Sequence, residues 1–324
     1  MPSATVNPAI QHADTKAYLG QDFFLLSERF RFQLAEKLDV AGLGAIPLVG
    51  MVGGAGTNTL RTPFGEDIGF ANAMTELGTE GSAVPLLDMN IGYDEIAVSE
   101  HGLGASVTFS QQIYGADGIP LLSIEDLMQK LPESFVKTLR SKVCTTGASI
   151  SSSVGSTSAA MDVDTILDLV AAYEQTDGAE EQGPLYLMLK PVQMTELRDS
   201  ARAEPAMQNS LGDFAMMQRP DGRVTDNLLG LGIVGIRTSD VTDSAGAYQG
   251  FAFTRGAIGY AIGDVSRVNV EGVPVMVMPD AGCIVLQRVD QYGQAKSELN
   301  ARCWLGTATA DPTVFFQRRV LSTT

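Results

Sequence analysis

The hydrophobic positions between residues 103 and 113 alternate with polar and small ones. The apolar members of this run are Leu103, Ala105, Val107, Phe109 and Ile113. A period of two is typical of a strand with one buried and one solvated face. Two shorter candidate strands precede it, at 59–64 and 91–98, separated by glycine, proline and asparagine. Residues 58–115 are therefore predicted to form one long β-excursion.

This excursion is strongly acidic and has little apolar mass of its own. Its only basic residue is Arg61. Its eight acids are Glu66, Asp67, Glu76, Glu80, Asp88, Asp94, Glu95 and Glu100. An isolated two-stranded ribbon is marginal in water, so the excursion must lie on another surface. No flanking segment offers an obvious partner, and a neighbouring copy of the chain is the expected one.

Elsewhere the period changes to that of helices. Apolar residues at helical spacing predict a helix from about 19 to 38, and the glycine-rich residues 42–56 end it. The apolar side of this helix packs either on its own domain or on a neighbouring copy of the chain. A second helix is predicted over 123–143, opened by a Ser123–Asp126 capping box and either continuous or broken at Pro132.

Alternating helices and strands follow. Asp162 is predicted to cap a helix, and Pro191 to open one that ends near Ala203. The predicted strands are 185–189, 228–241, 248–262, 273–278, 284–289, 299–305 and 313–320. This order indicates an α+β fold whose last strands return to the first helix.

Charge and cysteine content narrow the class of protein. The 324 residues have a formal net charge of −16, which argues against direct recognition of nucleic acid, because that requires clustered lysine and arginine. The odd number of cysteines, Cys144, Cys283 and Cys303, implies neither a disulfide framework nor a metal knuckle. Neither a signal peptide nor a membrane span is expected, so the chain is predicted to be soluble and made in the cytoplasm.

The sequence motifs typical of enzymes have little support in this chain. Gly230, Gly232 and Gly235 match G-x-G-x-x-G, but the following residues are typical of a strand, where a dinucleotide site needs a helix. Asp162 and Asp164 superficially resemble a phosphatase nucleophile, yet their position favours helix capping. The chain has only two histidines, His12 and His101, so few residues are available for a histidine-based catalytic triad or metal site. The sequence predicts no enzyme, and no catalytic, cofactor or metal residues.

The order of these elements resembles the major capsid proteins of tailed bacteriophages, the fold named after the Hong Kong phage and shared with encapsulin shells. The resemblance covers most of the chain and rests on loose pieces in a fixed order. These are the acidic excursion, the helix at 123–143, LYLMLKP at 185–191 with LRD at 197–199, LGLGIVGIRTS at 229–239, and RCWLG to FFQRR between 302 and 319.

The resemblance implies a domain order. It gives an N-terminal arm (1–57) and an extended loop, the E-loop (58–115). A spine helix with the first part of the peripheral domain (116–161) and an axial domain (162–262) follow, and residues 263–324 close both domains. It also implies an icosahedral shell subunit, self-assembling into hexamers and pentamers that enclose double-stranded DNA within a virion assembled in the host cytoplasm. Packaged DNA is then a non-specific cargo, because an acidic inner wall of the shell would not bind it.

Some members of that family join subunits through a loop lysine, but residues 58–115 contain none. We therefore expect ion pairs or a cement protein to reinforce the shell instead. The predicted inter-subunit contacts are the acids Glu66, Asp67, Glu76, Glu80, Asp94 and Glu95 with the bases Lys130, Lys137, Arg140, Arg318 and Arg319. Scaffolding, portal and decoration proteins are further expected partners, without a membrane. No long coiled segment precedes the arm, so any scaffold is expected to be a separate protein or a segment already removed.

Two other classes stay open at this point. An encapsulin-type cellular compartment shares the fold, and the extended amino-terminal arm favours the viral form over it. A nucleotide-binding α/β enzyme is supported by the glycine triplet alone.

Overall fold

The computed structural model describes part of the chain in detail. These residues are 34, 36–39, 41–53, 58–62, 94–108, 124–176, 183–203, 224–229, 231–244, 246–264, 275–278, 284–291, 294, 296–312 and 315–323. The described end of the predicted first helix, 34 and 36–39, is helical, and Leu34 is buried. Most of that helix lies outside the described residues.

In the part of the chain that the structure describes, three further helices form where the sequence predicts them. They are α1 (Ile124–Ala148), α2 (Val163–Glu174) and α3 (Pro191–Ala203), and one 3-10 turn occupies Leu43–Ala45. Helix α1 continues through Pro132 as one element and runs past the expected end near 143. Asp162 caps α2, its carboxylate accepting a hydrogen bond from the Thr165 amide at 2.8 Å.

Short strands account for most of the remaining described structure. In chain order they are β1 (Leu48–Val52), β2 (Thr59–Thr62), β3 (Asp94–Ala97), β4 (Ser99–Thr108), β5 (Ser153–Gly155), β6 (Tyr186–Leu189), β7 (Val224–Leu228), β8 (Ile233–Arg237), β9 (Asp243–Ser244), β10 (Ala247–Phe253), β11 (Ile258–Gly263), β12 (Val275–Met278), β13 (Ile284–Gln291), β14 (Lys296–Thr309) and β15 (Gln317–Thr323). Helices and antiparallel-dominated sheets together make the predicted α+β class.

The chain divides into two compact units, each built from separate segments. The first comprises Met1–Asp39, Glu100–Lys137 and Ile262–Trp304; the second comprises Val40–Ser99, Thr138–Ala261 and Leu305–Thr324. The five segments expected from the resemblance stay predictions.

The first unit contains an antiparallel meander of β12, β13 and β14, with β4 also paired to β14. Strand β14 alternates as predicted, since Ala301 and Cys303 are buried while Arg302 is exposed. Glycines let β4 approach closely, because a Cβ at Gly104 would lie 2.8 Å from Asn300 Oδ1. Strand β4 of the excursion thus pairs within its own chain, and contact of the excursion with a neighbouring copy stays a prediction.

The second unit is organised on a seven-stranded sheet in the order β5-β15-β10-β6-β8-β7, with β9 beside β10. Helices α2 and α3 contribute Ile166, Leu169 and Leu197 to its core, all fully buried with Leu187 and Phe316. The side chain of Gln193 is buried. Its Oε1 accepts a hydrogen bond from the Lys190 backbone amide at 3.0 Å, and its Nε2 donates one to Ser322 Oγ at 3.0 Å. This polar bridge fixes α3 against β15.

Two predicted strands are wrong in extent. The stretch 228–241 contains the last residue of β7, a turn with Leu229 and Gly232 at φ of 55° and 72°, and then β8. The stretch 248–262 divides into β10 and β11 at a turn containing Gly256 with φ of 92°. Gly232 and Gly256 allow the positive φ that these turns require, and they are the signal for the two turns in the sequence. The last strand also begins at Gln317, four residues after the predicted start.

Candidate functional site

The residues predicted to join subunits fall into three described places: the base of the extended loop, the exposed side of α1, and strand β15. Four of them, Glu66, Asp67, Glu76 and Glu80, lie outside the described residues. Asp94 lies in β3 opposite Thr62 in the register of the β2–β3 ribbon.

Glu95 has a partner within the same ribbon. The Arg61 guanidinium lies 2.7 Å from Glu95 Oε1, and the two residues face each other in the register of β2 and β3. Both side chains are more than half exposed, so water screens the pair and it contributes little to stability. The ribbon therefore neutralises its one described base locally.

Hydrogen bonds and buried contacts fix the base of the extended loop to the second unit. Ile96 and Val98 are buried, and the Val98 amide donates to the Asn58 carbonyl at 2.7 Å. The Lys142 ammonium donates to Ser99 Oγ at 3.1 Å. Gly306 lies so close to the Ala97 carbonyl that a Cβ at 306 would be 2.3 Å from its oxygen. These contacts fix the base of the extended loop, which we call the loop root.

A further ion pair lies beyond this root, in the first unit. Arg302 Nη1 lies 3.0 Å from Glu100 Oε1, between β14 and β4. Sequence reasoning missed this pair and the contact of Gly306 with Ala97, because the partners are about 200 positions apart in the chain. The alternation that exposes Arg302 was the only signal.

Helix α1 presents Lys130, Glu133 and Lys137 on one exposed side, at spacings of three and four residues. Within the described part of the chain, neither lysine forms a salt bridge. Their contact with acids of a neighbouring copy stays a prediction.

Arg140, one turn further along α1, is engaged within the chain instead. Its Nε lies 2.5 Å from Asp240 Oδ2, and both side chains are less than a fifth exposed. Beside this pair, burial is the main cause that raises the pKa of the Cys144 thiol to about 12; Asp240 adds to the increase and Arg140 opposes it. Cys144 is consequently a neutral, inert thiol at physiological pH.

The two arginines of β15 are half-buried. The Arg318 guanidinium lies 5.7 Å from the centre of the Phe316 ring, within cation–π distance. Arg319 Nη2 donates to the Ser151 carbonyl at 3.4 Å, and its own amide donates to the Ser152 carbonyl at 2.8 Å. These contacts hold Arg319 against the β5 edge of the sheet.

Features of other protein classes take structural roles here. Gly232 and Gly235 belong to the β7–β8 hairpin, and a strand follows them, as the sequence predicted. In the described ranges, no His, Cys, Asp and Glu side chains gather in a group that could hold a metal. Among those same residues, no helix is long and apolar enough to cross a membrane.

No protein-family model matches the sequence, and no curated protein matches it. Solved structures do. The chain is similar to the mature capsid of bacteriophage PhiM1, with a TM-score of 0.52 and 8% identity over 87% of this chain and 86% of that one. The chain has the fold of phage capsid subunits.

Two more capsids repeat this likeness. The capsid of Ralstonia phage GP4 gives a TM-score of 0.51 at 10% identity, over 86% of this chain and 87% of that one. The capsid of a native GTA particle gives 0.51 at 13% identity, over 88% and 90%. The capsid fold therefore extends over nearly the whole length of each chain, and the α+β architecture predicted from element order is confirmed.

Proposed function

We propose that this chain is the major capsid subunit of a tailed phage, self-assembling into an icosahedral head that encloses double-stranded DNA. The observation that carries the proposal is the likeness of fold, over 86–88% of this chain, to the capsids of PhiM1, GP4 and the GTA particle. The role is structural: copies of the chain, arranged as hexamers and pentamers, form the wall, and no catalytic step is required of it.

The acidic charge suits this role. With 38 acidic and 22 basic residues, the wall repels the phosphate backbone, so packaged DNA is enclosed without being bound in place. Portal, scaffolding and decoration proteins are the further partners we propose, and the virion is the proposed location.

For contacts between copies, we propose that the acids of the extended loop meet Lys130 and Lys137 of a neighbour. Both lysines are exposed on α1, whereas Arg140 and Glu95 already have partners within the chain. Each exposed pair is worth at most about 1 kcal/mol, and repetition over the many copies of a shell makes the sum decisive.

Negative-stain electron microscopy of the purified full-length chain, beside size-exclusion chromatography, tests the proposal. We expect closed particles, tubes, or rings of five and six subunits. The same preparation is repeated with co-expression of the neighbouring phage-like genes, which supply any scaffold. A chain that stays a monodisperse monomer or dimer under both conditions is not a capsid subunit.

A further inference from the structure

The chain has an uncharged stretch in an otherwise acidic sequence. No residue from 40 to 60 is charged, although charged residues make up 19% of the whole. Strand β1 lies within this stretch and consists only of leucine, valine, glycine and methionine. None of its five residues is buried, and Leu48 and Met51 are 43% and 46% exposed.

The exposed side chains of β1 do not share one face. Leu48 and Met51 are three positions apart, so in a strand they point to opposite sides of the sheet. Strand β1 ends its sheet and pairs with β11; within the described part of the chain, no strand pairs with its other edge. An apolar strand that has an unpaired edge among the described residues and an exposed side chain on each face is a ready template for pairing with another chain.

Other end strands in this unit carry protection that β1 lacks. Strand β7 contains Asp226 and an irregularity of register between Thr225 and Leu228, and β5 has only three residues. Charges, bulges and short length are the usual means by which proteins prevent edge pairing. Strand β1 contains no charge and no proline.

We propose that β1 is a contact strand between copies of this chain, covered by a second copy along its open edge and over Leu48 and Met51. Charge favours this occupant: two chains of net charge −16 repel one another, and the repulsion is smallest where neither presents an acid. The inference rests on the proposed shell function, which supplies many identical copies at high local concentration.

The contact adjoins the root of the extended loop. Leu60 of β2 covers Gly50 of β1, with its Cδ2 3.0 Å from the position of a Cβ there. One neighbouring copy can therefore engage both the loop root and β1.

The first test places a charge on the edge. Met51→Lys is compared with Leu167→Lys, an equally charged change at a 43% exposed leucine on α2. Sedimentation velocity of the full-length chains over a concentration series measures association, and thermal melts measure folding. We expect Met51→Lys to weaken association at least tenfold with an unchanged melting temperature, and Leu167→Lys to behave as wild type.

The second test detects the contact directly. Met51→Cys and the control Glu174→Cys, also exposed, are treated with a short bis-maleimide after assembly. We expect a covalent dimer from Met51→Cys well above the levels given by wild type and by Glu174→Cys.

The outcomes separate the two proposals. If Met51→Lys associates as well as Leu167→Lys and Met51→Cys gives no excess dimer, the contact strand is wrong, whether or not shells form. If Met51→Lys melts several degrees lower and Met51→Cys resists alkylation, β1 is covered within its own chain and the inference is also wrong. A strong Met51→Cys dimer from a chain that never forms shells supports the contact and contradicts the capsid function.

Discussion

Gly306 has no side chain where the Ala97 carbonyl lies against it. A Cβ would be 2.3 Å from that oxygen, and both partners are backbone, so neither can move without shifting a strand. We expect Gly306→Ala to lower the free energy of unfolding by about 1–3 kcal/mol or more. Urea denaturation measures this loss. Gly44→Ala is the control, because nothing lies within 4 Å of its Cβ position, and an equal effect of the two changes would show that the contact at 306 is not tight.

Cys144 illustrates how burial removes reactivity from a single residue. Its pKa is raised from 9.0 to about 12, so almost no thiolate exists in the folded chain at pH 8.5, whereas the unfolded chain has an ordinary thiol. We expect iodoacetamide to label Cys144 rapidly in denaturant and negligibly without it, as measured by peptide mass spectrometry. An engineered Glu174→Cys, exposed on α2, must label in both conditions. Fast labelling of folded Cys144 would contradict its burial.

The sign of the pH dependence follows from the same shift. Because the folded pKa lies above the unfolded value, the folded state retains the proton while the unfolded state releases it. The contribution of Cys144 to stability is complete below pH 9 and is lost as the pH rises from about 9 towards 12.

At the scale of elements, the Arg140–Asp240 pair ties α1 to the turn after β8. Its side chains are 13% and 18% exposed, so removing one partner leaves a largely desolvated charge. We expect Arg140→Met to cost about 3–5 kcal/mol in urea unfolding, and the double change Arg140→Met with Asp240→Leu to recover most of it.

The exposed pair of Arg61 and Glu95 provides the matched control. Arg61→Met should cost less than about 1 kcal/mol, because water already solvates both charges. A double change at 140 and 240 that is as unstable as Arg140→Met would mean that packing around Arg140, and not its charge, matters.

Elements with a local signal could be predicted, and those joined by distant contacts could not. A few adjacent residues determine the cap at Asp162 and the start of α3 at Pro191, and both were predicted correctly. The turn at Leu229 and Gly232 was missed because the glycine signal there was interpreted as part of a strand. The pairing of β4 with β14 and the Arg140–Asp240 pair join residues 100 or more positions apart. Such contacts depend on tertiary folding, which periodicity does not report.

At the scale of the whole molecule, the contacts predicted between the loop acids and the α1 lysines of neighbouring copies are electrostatic. We expect the exposed lysines of α1 to make shell stability fall as sodium chloride rises from 0.05 to about 1 M, where the screening length shortens to about 3 Å. The measurement is the temperature or denaturant concentration at which particles disassemble, followed by light scattering. A shell whose stability does not change with salt would exclude this mode of reinforcement.

Charge-reversal variants test whether the α1 lysines cause the expected salt dependence of shell stability. Lys130→Glu with Lys137→Glu should abolish or strongly weaken assembly while each chain still folds, because both side chains are exposed. Arg202→Glu with Arg255→Glu, exposed on α3 and in the turn between β10 and β11, changes the net charge by the same amount on different elements and should leave assembly intact. Equal loss in both variants would indicate a response to net charge and not to these lysines.

The root of the extended loop also sets the order in which a newly made chain can fold. Ala97 and Ser99 are translated about 200 residues before the partners that hold them, Gly306 and the Leu305 carbonyl. Loop closure over such a distance is slow and must await β14. On the ribosome, therefore, an incomplete chain lacks these two contacts at the base of its loop. If the proposed capsid function is correct, we expect a nascent subunit to join its neighbours through this loop only after nearly all of it has been synthesised.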